Sequence, residues 1–159
     1  MGYTKQDPDL ASVDIDEIQR LIPHRHPFLM IDRMINMVPN QSAIGIKNVT
    51  IGEPLFQGHF PDQPVFPGVM VIEAMAQTSA ALTAWSQNLQ DTGTLVYLLG
   101  LDKTRFRRIV RPGDQVELHV HVQRGGGKIW RMHGDARVDG ELAAEADFMA
   151  MMNRPEQDS

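Results

Sequence analysis

Apolar and polar positions follow different periods along this chain, and one run sets the scale for the rest. From Val69 to about Gln87, apolar side chains fall on nearly every side of a helical wheel: Val69, Met70, Val71, Ile72, Ala74, Met75, Ala76, Ala80, Ala81 and Leu82. A helix that is apolar all round is a buried helix. Pro67-Gly68 stands just before it, and proline suits a first helical turn because its missing N–H would have no partner there. Glu73 in the second turn and Gln77 one turn further on interrupt the apolar surface on one face. The spacing of Ile15, Ile18 and Ile22 predicts a second, short amphipathic helix over Asp14 to Ile22, with Asp14 as N-cap and Pro23 as its stop. Phe28 to Val38 and Ser42 to Thr50 read as strands around a turn at Pro39-Asn40-Gln41. Gly93 marks a turn, and Thr94 to Leu101 reads as a strongly apolar strand. Gln115 to Gln123 alternates, with Val116, Leu118, Val120 and Val122 on one face and Glu117, His119 and His121 on an outward polar face. Arg124 to Lys128, with three glycines inside it, reads as a hairpin turn.

The last hairpin carries a register prediction. Trp130, Met132, Gly134, Ala136 and Val138 share a face, as do Leu142, Ala144, Ala146 and Phe148. A two-residue turn at Asp139-Gly140 would pair Val138 with Glu141 and set apolar residues against charges. Pairing 137 with 141 matches apolar to apolar and sets Arg137 against Glu141 and Arg131 against Asp147. The expectation is a three-residue loop with Gly140 left-handed, a bulge-type hairpin. Together these elements predict an α+β domain, a curled antiparallel sheet wrapped around one long central helix. Burying that helix on nearly all sides calls for a partner subunit as well. Residues 11–152 read as a single domain, with a flexible N-terminus over 1–10 and a flexible C-terminal tail over 153–159.

Composition narrows the class. At 159 residues and 42% hydrophobic content, the chain has material for one core. Zero cysteines remove disulfides and thiol chemistry. A net charge of -5 argues against a general nucleic-acid binder. The start, MGYTKQDPDL, has neither the basic end nor the apolar run of a signal peptide, and Glu73 interrupts the longest apolar stretch, so no membrane insertion is expected. A soluble, cytoplasmic protein is the expectation.

Candidate chemistry gathers at the start of the long helix. Burying an ionised carboxylate costs several kcal/mol unless it is paired, so Glu73 asks for a chemical reason. His59 lies in Gly58-His59-Phe60, before the prolines Pro61, Pro64 and Pro67. The N–H groups of Gly68 and Val69 at the helix start suit a carbonyl oxygen. A base, an acid and a carbonyl electrophile fit proton removal beside a carbonyl followed by loss of a leaving group. Three other groupings carry less. His24-Arg25-His26 has no third ligand nearby for a metal and reads as polar surface, while His119/His121, which share a strand face as a metal pair would, read as part of an outward polar face. The glycines of 125–127 lack the ending of a phosphate loop.

The segment HFPDQPVFPGVMVIEAMAQ, from His59 to Gln77, resembles the bacterial 3-hydroxyacyl-[acyl carrier protein] dehydratases of the FabZ type, which have the hot-dog fold. The related dehydratase/isomerase branch carries Asp where this chain has Glu73. Similarity extends through PHRHPFLMIDR (23–33), LDKTRFRRIVRPGD (101–114) and GKIWRMHGDARVDGELAAEADF (127–148). The family more often has an aromatic residue at the position of His26.

The resemblance implies a hot-dog dimer whose sheets join, three dimers forming a hexamer. It implies a (3R)-3-hydroxyacyl thioester on acyl carrier protein as substrate, with no metal or other cofactor. It makes His59 the base and Glu73 the acid, contributed by opposite subunits. A single His59 performing both transfers, with Glu73 orienting water, fits the sequence equally well. Gly68 and Val69 would bind the thioester, and Phe66 and Tyr97 would flank the acyl tunnel. The basic run Lys103, Arg105, Arg107, Arg108 and Arg111 would dock the acidic carrier protein. An acyl thioesterase and a non-catalytic acyl-binding module on the same fold are the rival readings.

Overall fold

A computed structural model describes residues 2–154. Seven strands and two α-helices follow in the order β1 (Ala11–Val13), α1 (Ile15–Leu21), β2 (Arg33–Val38), β3 (Ser42–Asn48), α2 (Gly68–Ser86), β4 (Leu95–Phe106), β5 (Gln115–Arg124), β6 (Ile129–Val138) and β7 (Glu141–Asn153). The strands form one sheet in the order β1-β2-β3-β5-β6-β7-β4, antiparallel throughout. Its inner face carries Met34, Ala43, Val116, Leu118, Val120, Met132, Ala136, Ala146 and Phe148, which pack with α2 in one core. The hot-dog arrangement expected of the sequence is therefore present.

α2 runs Gly68–Ser86, within a residue of the prediction, and Val71, Ile72, Ala74, Met75 and the stretch Gln77–Ala84 are buried. Close approach to the sheet depends on Gly45 of β3, because a Cβ there would collide with the Thr78 side chain. One chain already covers most of the helix; Val69, 70% exposed, is the chief exception. α1 forms as predicted, and Asp14 accepts the Glu17 N–H at 3.1 Å, a capping bond that satisfies a donor with no partner in the helix.

Four departures have local causes. The strand expected from Phe28 begins only at Arg33. Ahead of it, Phe28 and Leu29 donate to the Arg25 carbonyl, and Phe28 and Met30 exchange bonds with the Gln77 side chain, so this backbone is satisfied without a strand partner. β4 extends past Leu101 to Phe106, taking in the start of the basic run, with irregular pairing at Leu98/Gly100 and Asp102/Arg105. Its side chains are mostly exposed, because β4 pairs only with β7 and forms the edge.

Third, the polar face of β5 is not wholly outward. Glu117 is 3% exposed, accepting the Thr4 N–H and hydroxyl at 2.6 Å each, while His119 Nε2 donates at 2.8 Å. These bonds hold the Glu117 carboxyl below its ordinary range against the opposing effect of burial, which is the largest influence on it. Nearby, Asn36 contacts Lys5 and Asp7. The tail expected to be flexible lies, from residue 155 on, outside the described residues.

Fourth, the β6–β7 register differs from the prediction. Val138 pairs with Glu141 and Arg137 with Leu142 across a two-residue turn, Asp139-Gly140, in which both residues have positive φ (49° and 82°). That is the turn whose twist matches a hairpin. The register then shifts by one residue, so that Ala136 meets Ala144, Gly134 meets Ala146 and Met132 meets Phe148. Ala143 is the extra residue, and its carbonyl accepts the Arg107 and Arg108 N–H groups beyond the end of β4. Apolar matching is achieved by this bulge rather than by the loop, and the expected pairs Arg137–Glu141 and Arg131–Asp147 do not form.

Candidate active site

The segment between β3 and α2 folds back on itself. The His59 N–H donates to the Leu55 carbonyl, Val65 N–H to the His59 carbonyl, and Phe66 N–H to Val110 across an isolated bridge. Phe60 and Gln63 exchange backbone bonds at the turn between them. The imidazole is thereby placed with Nδ1 2.7 Å from the Val65 carbonyl. A carbonyl oxygen only accepts, so Nδ1 carries hydrogen. In a neutral ring Nε2 is then a bare lone pair, the tautomer a general base needs. Phe60 lies against the ring, 4.0 Å between centroids.

At the α2 start, the N–H groups of Gly68 and Val69 have no backbone partner among the described residues, as expected at a helix N-terminus. Pro67 as N-cap donates nothing and supplies no side-chain bond. Phe106 of β4 lies over Gly68 so closely that a Cβ there would fall 2.7 Å from two of its ring carbons.

Glu73 faces a cavity of about 20 Å³ shared with His24, Ala76, Val96, Leu98 and Ala150. Its Oε1 accepts from Gln77 Nε2 at 3.2 Å and lies 3.7 Å from His24 Nε2. The Glu73 and His24 side chains are 23% and 18% exposed. Burial pushes the Glu73 carboxyl above its ordinary range, with Gln77 opposing. Burial also pushes the His24 imidazole down, helped by the charge of Arg25. Both groups are biased towards their neutral forms, the direction that suits a half-buried carboxyl serving as a proton donor.

The sequence-predicted residues are not all brought together. Within the chain His59 and Glu73 share no hydrogen bond, ion pair or cavity wall among the described residues. Tyr97 lies between Val96 and Leu98, which line the Glu73 cavity, so strand alternation turns it to the other face. Phe66 is 2% exposed, against Phe56 and beneath the Lys47 ammonium, in the position of a core side chain. Arg107 pairs with Glu145, and Arg108 with Glu141 and Asp114. Lys103, Arg105 and Arg111 are exposed and make no ion pair among the described residues.

Sequence reading missed His24, which had been assigned to polar surface. The signal available was Gln77, one turn from Glu73, but its reach to Phe28 and Met30 depends on the tertiary fold. His133 also went unremarked. It contacts Asp147 at 2.6 Å and Asp135 at 2.9 Å on the outer sheet face. No group of three His, Asp or Glu among the described residues converges as a metal site requires.

Residues 22–147 match the family described as FabA-like domain. The chain is 60% identical over 144 residues to a protein from Cereibacter sphaeroides named 3-hydroxyacyl-[acyl-carrier-protein] dehydratase FabZ, covering 91% of this chain and 93% of the relative. A protein of the same name from Jannaschia sp. is 54% identical over 147 residues, 91% of each chain. Among solved structures, a chain of the dehydratase heterocomplex ApeI:P from Xenorhabdus doucetiae superposes with a TM-score of 0.76 at 19% identity, covering 89% of this chain and 92% of that one. No helix among the described residues is long and apolar enough to cross a membrane.

Proposed function

The chain belongs to the FabA-like family, among its FabZ-type dehydratases, and from that membership we propose that it dehydrates (3R)-3-hydroxyacyl-[acyl carrier protein] to the trans-2-enoyl thioester in fatty acid biosynthesis. The observation that carries this reading is Glu73, a carboxyl that burial biases to its neutral form next to a helix start with free N–H groups. A binding module has no need of such an acid, whereas a thioesterase on the same fold would use a similar one and is told apart by the thiol it releases.

In this mechanism the Gly68 N–H holds the thioester oxygen and stabilises the charge that develops there. His59 Nε2 takes the α-proton, and the Nδ1 bond to Val65 steadies the imidazolium. Glu73 gives its proton to the β-hydroxyl, which leaves as water. Reversal uses the same groups in opposite roles. Because His59 and Glu73 do not meet within one chain, the site is completed by a second copy. β4 supplies the means: an unpaired edge with Leu95, Tyr97, Leu99 and Leu101 exposed, the kind of edge that pairs with another strand. Such dimers assemble further as three. The carrier protein docks on Lys103, Arg105 and Arg111, with Arg107 and Arg108 engaged in ion pairs of their own, and the protein works in the cytoplasm without a cofactor.

The test is to mix the protein with a trans-2-enoyl thioester on acyl carrier protein, following the enoyl absorbance and free thiol together. Absorbance falling to a hydration equilibrium with no thiol release is expected. Thiol release would move the assignment to a thioesterase, and unchanged absorbance despite carrier binding would leave a binding module.

A further inference from the structure

His24 is the unexplained group at this site. It leaves the chain just after α1, stacks on Phe28 with 6.1 Å between ring centroids, and points Nε2 at Glu73 Oε1. Its Nδ1 is buried with no hydrogen-bond partner among the described residues. A neutral imidazole has one N–H and one lone pair. Hydrogen on Nδ1 would leave a buried donor orphaned, the rarer defect. Hydrogen on Nε2 leaves only a lone pair unmatched and directs the N–H at the carboxyl.

Gln77 fixes the other side. Its Oε1 accepts the Met30 N–H at 3.0 Å, and its Nε2 donates to the Phe28 carbonyl at 2.9 Å and to Glu73 Oε1 at 3.2 Å. The two backbone bonds allow only one orientation of the amide, so the group facing Glu73 is a donor. Gln77 thus donates to Oε1 at 3.2 Å, and the His24 Nε2–H faces the same oxygen from 3.7 Å, beyond hydrogen-bond length but with no competing acceptor on that side among the described residues. Oε1 is the accepting oxygen. The acid's hydrogen belongs on the other oxygen.

We propose that His24 is a positioning residue for Glu73: together with Gln77 it holds Oε1 as the accepting oxygen, so that Oε2 bears the proton delivered to the leaving hydroxyl. This rests on the dehydratase reading. Within the chain, His24 is the titratable group that shares the Glu73 cavity; Val96, Leu98 and Ala150 face it from β4 and β7, and Arg25 acts on His24.

The experiment compares wild type with His24→Phe, which keeps the stack but has no N–H, and His24→Gln, whose amide N–H reaches near the place of Nε2. The readouts are kcat and KM for enoyl-thioester hydration across pH, and the ¹³C titration of the Glu73 carboxyl. A donor to the carboxylate favours the charged form, so its loss moves the Glu73 titration to higher pH, and with it the acid limb of kcat for hydration, the direction in which Glu73 acts as the base. His24→Phe is expected to lower kcat by about tenfold or more with KM little changed, since misplacement of an acid acts on the chemical step. His24→Gln should keep kcat and limb near wild type. Wild-type behaviour of His24→Phe overturns the proposal, as does an equal loss in both variants with the Glu73 titration unmoved, which marks a role in packing alone. Absence of turnover in the wild type overturns the dehydratase reading, and this inference with it.

Discussion

His59 and Val65 hold each other twice: Nδ1 of the imidazole donates to the Val65 carbonyl at 2.7 Å, and the Val65 N–H returns to the His59 carbonyl at 3.1 Å. The first bond selects a ring tautomer and the second fixes the backbone that aims it. Asparagine can imitate Nδ1 but has no base at the position of Nε2. His59→Asn should therefore remain folded and lose about 10²–10⁴-fold in kcat. Its thermal unfolding should match the wild type closely, and appreciable residual turnover would remove His59 from the role of base.

Glu73 predicts opposite effects on stability and activity. Its folded-state pKa is raised above the ordinary 4.5 by burial. Its contribution to stability is thus fully present below that value and is lost as pH rises through the higher folded one. Glutamine cannot ionise. Glu73→Gln should lose turnover, and its melting temperature should gain on the wild type as pH increases. Melting curves at about pH 5 and about pH 8 test the sign; a difference independent of pH would show that the carboxyl is not strained by burial.

Gly68 and Phe106 should be coupled. A methyl at residue 68 enters space held by the Phe106 ring, and overpacking typically costs about 1–3 kcal/mol. Gly68→Ala should be destabilised in that range and partly relieved by Phe106→Ala. Strict additivity in the double-mutant cycle would contradict a direct clash.

The basic run should divide into two groups. Lys103, Arg105 and Arg111 make no ion pair among the described residues, whereas Arg107 and Arg108 are engaged by Glu145, Glu141 and Asp114. Charge reversal of the first three should weaken carrier-protein binding and flatten its dependence on salt. Equal sensitivity at low and high salt, measured by calorimetry, would place docking elsewhere.

A pH effect independent of catalysis is expected at His133. Burial lowers its pKa, but the bonds to Asp147 and Asp135 outweigh that and leave it raised above 6.5. Its contribution is complete below 6.5 and fades as pH rises through the folded value. Asp147, depressed below 3.8 chiefly by His133, sets the acid limit, since its contribution disappears as pH falls through its folded value. His133→Gln should therefore lose more stability near about pH 5.5 than near about pH 9. The reverse ordering would mean that His133 is neutral in the folded chain.

Much of this protein is decided by short-range pattern. A run apolar on every side makes α2 a buried helix wherever it lies, Asp14 caps α1 through a residue three positions away, and strict alternation aims Val116, Leu118 and Val120 inward. The His59–Gln77 motif likewise shows where a base, an acid and free helix N–H groups belong. Tertiary structure decided what distance along the chain conceals. His24 and Glu73 meet because Gln77 binds a backbone segment 47 to 49 residues away. Glu117 is buried because Thr4, 113 residues distant, closes over it. The final hairpin satisfies both its turn and its apolar matching with a bulge at Ala143, where the pattern alone favours a three-residue loop. Local preference acts through the next three or four residues, whereas burial and partner choice depend on which surfaces meet when the sheet closes around the helix.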